Sequence, residues 1–145
     1  LYVSAPAFTV RATDWQRDAV KLRAVRTAVF IDEQAIPEAL EWDAADAGAV
    51  HLLAEDAHRL AIGCARLLAD GHIGRVAVLA SWRRQGVGHA LMARALELAA
   101  AAGMRHVALH SQAHACGFYA THGFTPVGAV FDEAGIAHQT MAREL

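Results

Sequence analysis

The stretch H-I-G-R-V-A-V-L-A-S-W-R-R-Q-G-V-G-H-A-L-M-A-R-A-L-E-L-A-A-A-A, His72 to Ala102, decides the fold. Ile73 to Leu79 is a β-branched and apolar run, long enough for one buried strand. Ala90 to Ala102 holds almost nothing but helix formers, with Leu91, Ala95, Leu98 and Ala102 recurring on one face. Arg83, Arg84, Gln85, Gly86 and Gly88 lie between them. A strand, a basic glycine turn and a helix N-terminus in that order make an anion cradle. The first-turn N–H groups lack intrahelical partners, and the helix dipole adds about half a positive charge. Glycines let a phosphate approach the backbone, and the arginines add charge-assisted hydrogen bonds. This is neither a Walker A loop, since no Gly-Lys-Ser/Thr follows, nor G-x-G-x-x-G.

The rest of the chain supplies strands and helices around this unit. Phe8 to Thr13 reads as a strand, and Thr13-Asp14-Trp15-Gln16 as a capping box opening a helix to about Val29. Phe30 to Gly48 is a long acidic connection with a short helical piece near Pro37 to Leu40, and such length favours a functional role. Val50 to Glu55 and Leu60 to Leu68 read as antiparallel strands, and Asp70-Gly71 as a tight turn before Ile73. His106 to Ser111 is a further strand, and Ala113 to His122 a short helix ended by Gly123. Thr125 to Phe131 and Ile136 to Ala142 then form a hairpin. The order β-α-β-β-β-α-β-α-β-β predicts an α/β (α+β) fold, a central mixed sheet flanked by helices.

At 145 residues and 55% hydrophobic, the chain suits one domain, 1–145, burying roughly 70% of its unfolded surface. A net charge of −2 gives no case for nucleic acid or an anionic membrane. No apolar run reaches the roughly 20 residues of a spanning helix. The N-terminal L-Y-V-S-A-P-A lacks the pattern of a signal peptide, and two cysteines, Cys64 and Cys116, fit a reducing cytoplasm. Nine histidines form no recognised metal-binding spacing, so no metal is expected.

Val76-Ala77-Val78 followed by Arg83-Arg84-Gln85-Gly86-Val87-Gly88 resembles the coenzyme loop, Q/R-x-x-G-x-G/A, of the GNAT family of acyl-CoA N-acyltransferases. Gln112, Ala115, Phe118, Tyr119, Gly123 and Phe124 match that family's N/Q-x-x-A-x-x-F-Y-x-x-x-G-F. The ElaA-like branch is closer still, through V-F-x-x-E-Q-x-x-P at Val29 to Pro37, E-x-D-x-x-D at Glu41 to Asp46, His51, I-G-R-V-A-V at Ile73 to Val78, and G-I-x-H-x-x-M at Gly135 to Met141.

The resemblance implies the GNAT fold and transfer of an acetyl group from acetyl-CoA to a primary amine in a ternary complex. It implies that Val76, Ala77 and Val78 pair with the pantetheine arm as an added strand. Backbone N–H groups from Arg84 through Gln85, Gly86, Val87 and Gly88 to His89 would hold the pyrophosphate, supported by Arg83. Gln112, Cys116, Phe118 and Tyr119 would meet the far side of the coenzyme. Tyr119 would serve the leaving thiolate as general acid, and His72 or His110 would be the base. Glu33, Glu41, Asp43 and Arg75 would line the acceptor site, the carboxylates favouring a cationic amine. Many members form homodimers, although no exposed apolar stripe marks one here. Arg26-x-x-x-Phe30, Glu41-x-Asp43-x-x-Asp46 and Arg66 also resemble acyl-homoserine lactone synthases, which share the fold; the same residues equally suit a structural ion-pair network. A non-catalytic acyl-CoA-binding module is the remaining alternative.

Overall fold

The computed structural model describes residues 7–145; the N-terminal stretch read for a signal peptide lies, but for Ala7, outside the described residues. Strand β1, Phe8–Thr13, leads into Asp14, whose carboxylate accepts the Arg17 N–H at 2.9 Å and so caps helix α1, Trp15–Arg26. The cap therefore sits one residue later than the expected capping box, and Thr13 instead gives its hydroxyl to Asp18. Helical backbone also runs past Val29. It widens into a π-helical turn, Thr27–Glu33, in which the Gln34 N–H reaches back five residues to the Val29 carbonyl at 3.1 Å. The wider turn lets both Val29 and Phe30 face the core.

Pro37 precedes the short helix α2, Glu38–Glu41, and Asp43 caps a 3₁₀ turn, Ala44–Gly48. Strands β2 (Val50–Asp56), β3 (Ala61–Leu67) and β4 (Ile73–Val78) follow, then helix α3 (Val87–Ala101), strand β5 (His106–Gln112) and helix α4 (Cys116–Ala120). Strands β6 (Thr125–Glu133) and β7 (Ile136–Glu144) meet at Ala134-Gly135, both at positive φ as a two-residue hairpin turn requires. No described helix is long and apolar enough to cross a membrane.

The α+β architecture expected from the sequence is present, with the sheet built in two halves. One is antiparallel in the order β1-β2-β3-β4 and the other antiparallel in the order β5-β7-β6. They join through a parallel bridge between His72 and Ala108, where the Ala108 N–H meets the Gly71 carbonyl at 3.1 Å. Strands β2 and β3 are covered on both faces. Leu52, Ala54, Ile62 and Ala65 pack under Leu91, Met92 and Ala95 of α3, while Leu53 and Cys64 pack under Leu22, Val25 and Val29. Burial on both faces explains why these strands read as nearly unbroken apolar runs. On α3 the buried stripe is Val87, Leu91, Met92, Ala95, Leu96 and Ala99, rotated slightly from the expected face, so that Ala102 is exposed. Val127 and Val130 stand exposed on the edge strand β6.

Gly71 sits at the junction with φ +92, and a Cβ there would come within 2.9 Å of the His106 carbonyl oxygen. Both the left-handed backbone and the close approach exclude a side chain. Gly71→Ala is expected to cost at least ~1–2 kcal/mol, read as a drop of several degrees in the thermal midpoint.

Candidate active site

Beyond the His72–Ala108 bridge the two sheet halves part, and the gap between β4 and β5 opens into a cavity of about 1150 Å³. Residues from Ile73 to Val78 form one wall, and Leu109, His110 and Gln112 the other. Pairing of β3 with β4 jumps from Cys64–Ala77 to Arg66–Gly74, so a bulge falls at Arg75 and Val76, with Arg75 held at φ +50. After the bulge, Leu79 donates to the Ile62 carbonyl on β3 at 2.9 Å. Alternation then turns the backbone groups of Val76 and Val78 outward, along the free edge of β4. An incoming extended chain could pair there.

The same cavity runs into the start of α3, past Arg83, Arg84, Gly86, Val87, Gly88 and His89. Gly86, at φ +87, is the residue before the helix, and a Cβ on it would meet nothing within 4 Å, so the turn is open to a ligand. Gly88 is tight instead: a Cβ would lie 3.2 Å from the Phe118 ring of α4. Arg83 is already engaged. Its guanidinium makes a two-pronged pair with Glu33 at 2.5 and 2.6 Å, and its Nε donates to the Val78 carbonyl at 3.0 Å. Hydrogen bonding from Arg83 holds the Glu33 carboxyl below its usual range. Tyr119 lines the cavity edge-to-face with Phe118 at 5.0 Å, and burial, with Cys116 nearby, pushes its hydroxyl pKa up to about 12. Two expected coenzyme residues turn their side chains elsewhere. Gln85 folds back to the Ser81 carbonyl at 3.1 Å, and Cys116 packs against the core beneath α3.

One end of the cavity is walled by an ion-pair network. Arg26, only 1% exposed, donates to Glu41 at 2.8 Å and to Asp46 at 2.7 and 3.2 Å. Arg66 joins Asp43 at 2.8 Å and Asp46 at 3.0 Å, and Arg75 lies 3.1 Å from Glu41 and 3.3 Å from Asp43. Burial drives the Asp46 carboxyl upward, but hydrogen bonds from Arg26 and Arg66 outweigh it and hold the acid below its usual range. Trp42 stands over the Arg23 and Arg26 guanidiniums at 5.2 and 5.0 Å, a packing role outside the cavity. Glu33, Glu41 and Asp43 do line the cavity, but each is paired with arginine. The acidic connection therefore presents no bare negative face to an acceptor.

Residues 12–145 match the family model described as an acetyltransferase (GNAT) domain. The chain belongs to the GNAT family, in its ElaA-like branch. Protein ElaA of Escherichia coli K12 is 36% identical over 136 residues, 86% of each chain. In the crystal structure of E. coli ElaA the likeness reaches a TM-score of 0.84 over 94% of this chain and 99% of that one, at 31% identity. An acyl-CoA N-acyltransferase from Pseudomonas aeruginosa gives 0.83 at 32% identity, with the same coverage.

Within this GNAT site several cavity residues escaped the sequence reading. Gln34, at the end of the π-helical turn, exchanges two amide hydrogen bonds with Gln112 at 2.8 and 3.1 Å, clasping β5 to the opposite wall. Glu133 and His138 also line the cavity, beside His110. The signals were present: Gln34 lies inside V-F-x-x-E-Q-x-x-P and His138 inside G-I-x-H-x-x-M, motifs used for likeness and given no role. His72 and His110, named as rival bases from distant segments, are brought edge-to-face at 6.2 Å. Among the described residues no group of three or more His, Cys, Asp or Glu is placed to hold a metal.

Breaking the buried network should be costly. Asp46→Asn leaves Arg26 undercompensated and is expected to lose ~3–5 kcal/mol in chemical denaturation. Glu33→Gln, at a pair with both side chains about 40% exposed, should cost under ~1 kcal/mol.

Proposed function

We propose that the chain transfers an acetyl group from acetyl-CoA to a primary amine of a small molecule or peptide, by direct attack in a ternary complex. One observation carries the reading: a single cavity joins the free edge of β4, the start of α3 and the protonated Tyr119. Coenzyme A needs each of these. Its pantetheine amides pair with the outward backbone groups of Val76 and Val78. Its pyrophosphate takes N–H groups from Arg84 to His89, where the helix N-terminus favours negative charge. Arg84 supplies the cation at the turn. Arg83 joins it by exchanging Glu33 and the Val78 carbonyl, which frees that carbonyl for the pantetheine. Gln112 and Phe118 flank the arm.

The amine nitrogen attacks the thioester carbon, the C–S bond breaks, and the sulfur takes the Tyr119 proton. A hydroxyl pKa of about 12 keeps that proton in place across the neutral range. The amine proton leaves to His72 or His110. Because the neighbouring carboxylates are matched by arginines, the acceptor is recognised through paired polar groups such as Asp43 and Arg75 rather than by bare attraction of a cation. The reaction belongs in the cytoplasm, in keeping with two unpaired cysteines.

Calorimetric titration with acetyl-CoA tests the coenzyme site. Wild-type protein is expected to bind, and Arg84→Ala combined with Gly86→Glu to lose binding while staying folded. No binding by folded wild-type protein would overturn the proposal. Tyr119→Phe should keep acetyl-CoA affinity and lower kcat by about 10²–10⁴-fold, measured as thiol release with an amine acceptor.

A further inference from the structure

We infer that Glu133 and His138 position His110 as the base that takes the acceptor amine's proton. The inference rests on the acetyl-transfer reading above and settles which of the two rival histidines does this work. His110 and Gln112 share one face of β5, since alternate residues of that strand are buried on the other. Gln112 is clasped to Gln34 across the cavity, which fixes this face beside the acceptor wall.

The Glu133 carboxylate sits between two rings and takes a hydrogen bond from one of them, His110. Oε1 lies 3.4 Å from Nδ1 of His110, and Oε2 lies 3.5 Å from Nε2 of His138. His138 is buried and locked: its Nδ1 is 2.7 Å from the Ile136 carbonyl, which only accepts, so that nitrogen carries the hydrogen. Phe131 stacks on His138 at 5.9 Å and meets the edge of His110 at 5.1 Å, so one aromatic ring holds both imidazoles in place. With Nδ1–H directed at Glu133, Nε2 of His110 holds the free lone pair. His72 also has a carboxylate beside it, Asp70 Oδ2 at 3.1 Å from its Nδ1, but among the described residues no ring like Phe131 packs against it. Its partner Asp70 also takes the His72 backbone N–H at 3.0 Å, an interaction that the turn itself accounts for.

In the reaction, Nε2 of His110 takes a first proton from the alkylammonium and passes it to solvent, which frees the nitrogen lone pair, and it takes a second from that nitrogen as the N–C bond forms. The C–S bond breaks, and its electron pair leaves on sulfur, which receives the Tyr119 proton. Solvent reprotonates Tyr119 and removes the proton from His110. Glu133 and His138 touch no reacting atom and act through His110.

The test compares two acceptors of the full chain with acetyl-CoA: a primary alkylamine, which arrives as ammonium, and hydroxylamine, which arrives neutral and needs less help from a base. His110→Ala is expected to lower the alkylamine rate by about 10²–10⁴-fold and the hydroxylamine rate by about tenfold or less. Glu133→Ala, at the exposed end of β6, is expected to fold normally and to lower the alkylamine rate by up to about a hundredfold, with KM for acetyl-CoA unchanged. Nitrogen-15 NMR of the imidazoles should show His110 moving from the Nδ1–H to the Nε2–H tautomer in that variant. An unchanged tautomer with unchanged amine selectivity, or a larger loss from His72→Ala than from His110→Ala, would overturn the inference. If neither amine reacts, the tautomer decides alone. Failure of the acetyl-transfer reading is distinguishable, because it appears as absent acetyl-CoA binding, and it removes both.

Discussion

The site depends on two sheet halves that touch at one backbone bridge and then separate. His72 and Ala108 pair as neighbours, but Val76 and Gln112, four residues further along each strand, line opposite walls of a cavity. Had β5 continued beside β4, their backbone groups would have satisfied each other and left no edge for a ligand. Antiparallel pairing of β5 with β7 along its whole length draws it away instead. Gly71 makes the junction possible, since the His106 carbonyl occupies the space where any side chain would begin. The unpaired edge that is a liability on most sheets here faces the cavity.

The ion-pair wall of the cavity has a different origin. Burying Arg26 at 1% exposure is expensive unless its charge and its donors are matched, and Glu41, Asp46 and the Glu41 carbonyl match them. All three acceptors lie in the segment between α1 and β2, whose helical pieces are too short to hold it in place. The ion pairs therefore do for that segment what a sheet ladder does for β2. They also explain its acidity. Residues that read as an attraction for a cationic ligand are consumed in holding the loop to α1 and β3, and the net charge of the wall is close to balanced.

Much of this was legible in the sequence, and the exceptions have physical reasons. The strand–glycine turn–helix unit was readable because it is contiguous and each part has its own local signal: β-branched residues, glycines, then alanine and leucine. The α+β class followed from element order. The extension of α1 into a π-helical turn was not readable, because Thr27 to Glu33 has ordinary helix composition and only the packing of both Val29 and Phe30 against the sheet selects the wider turn. The two-part sheet was also hidden, since a single parallel bridge leaves no periodicity. Arg83 was assigned to phosphate on sequence spacing, but Glu33, fifty residues earlier, holds it here. The histidine cluster is likewise a product of tertiary structure: His72 comes from the bridge just before β4, His110 from β5, His138 from β7, and Glu133 from the end of β6.

Arg75 ties the two walls together. Its left-handed backbone, unusual and costly for a residue with a side chain, marks the bulge that turns Val76 and Val78 toward the gap. Its side chain leaves the strand in the other direction and meets Glu41 and Asp43. The ion pairs that order this wall thus also hold the strained residue that shapes the free edge of β4. A glycine would relieve the backbone strain but would leave Glu41 with one arginine fewer. The strain persists because the surrounding carboxylates over-determine that position, which couples the geometry of the β4 edge to the electrostatics of the ion-pair wall.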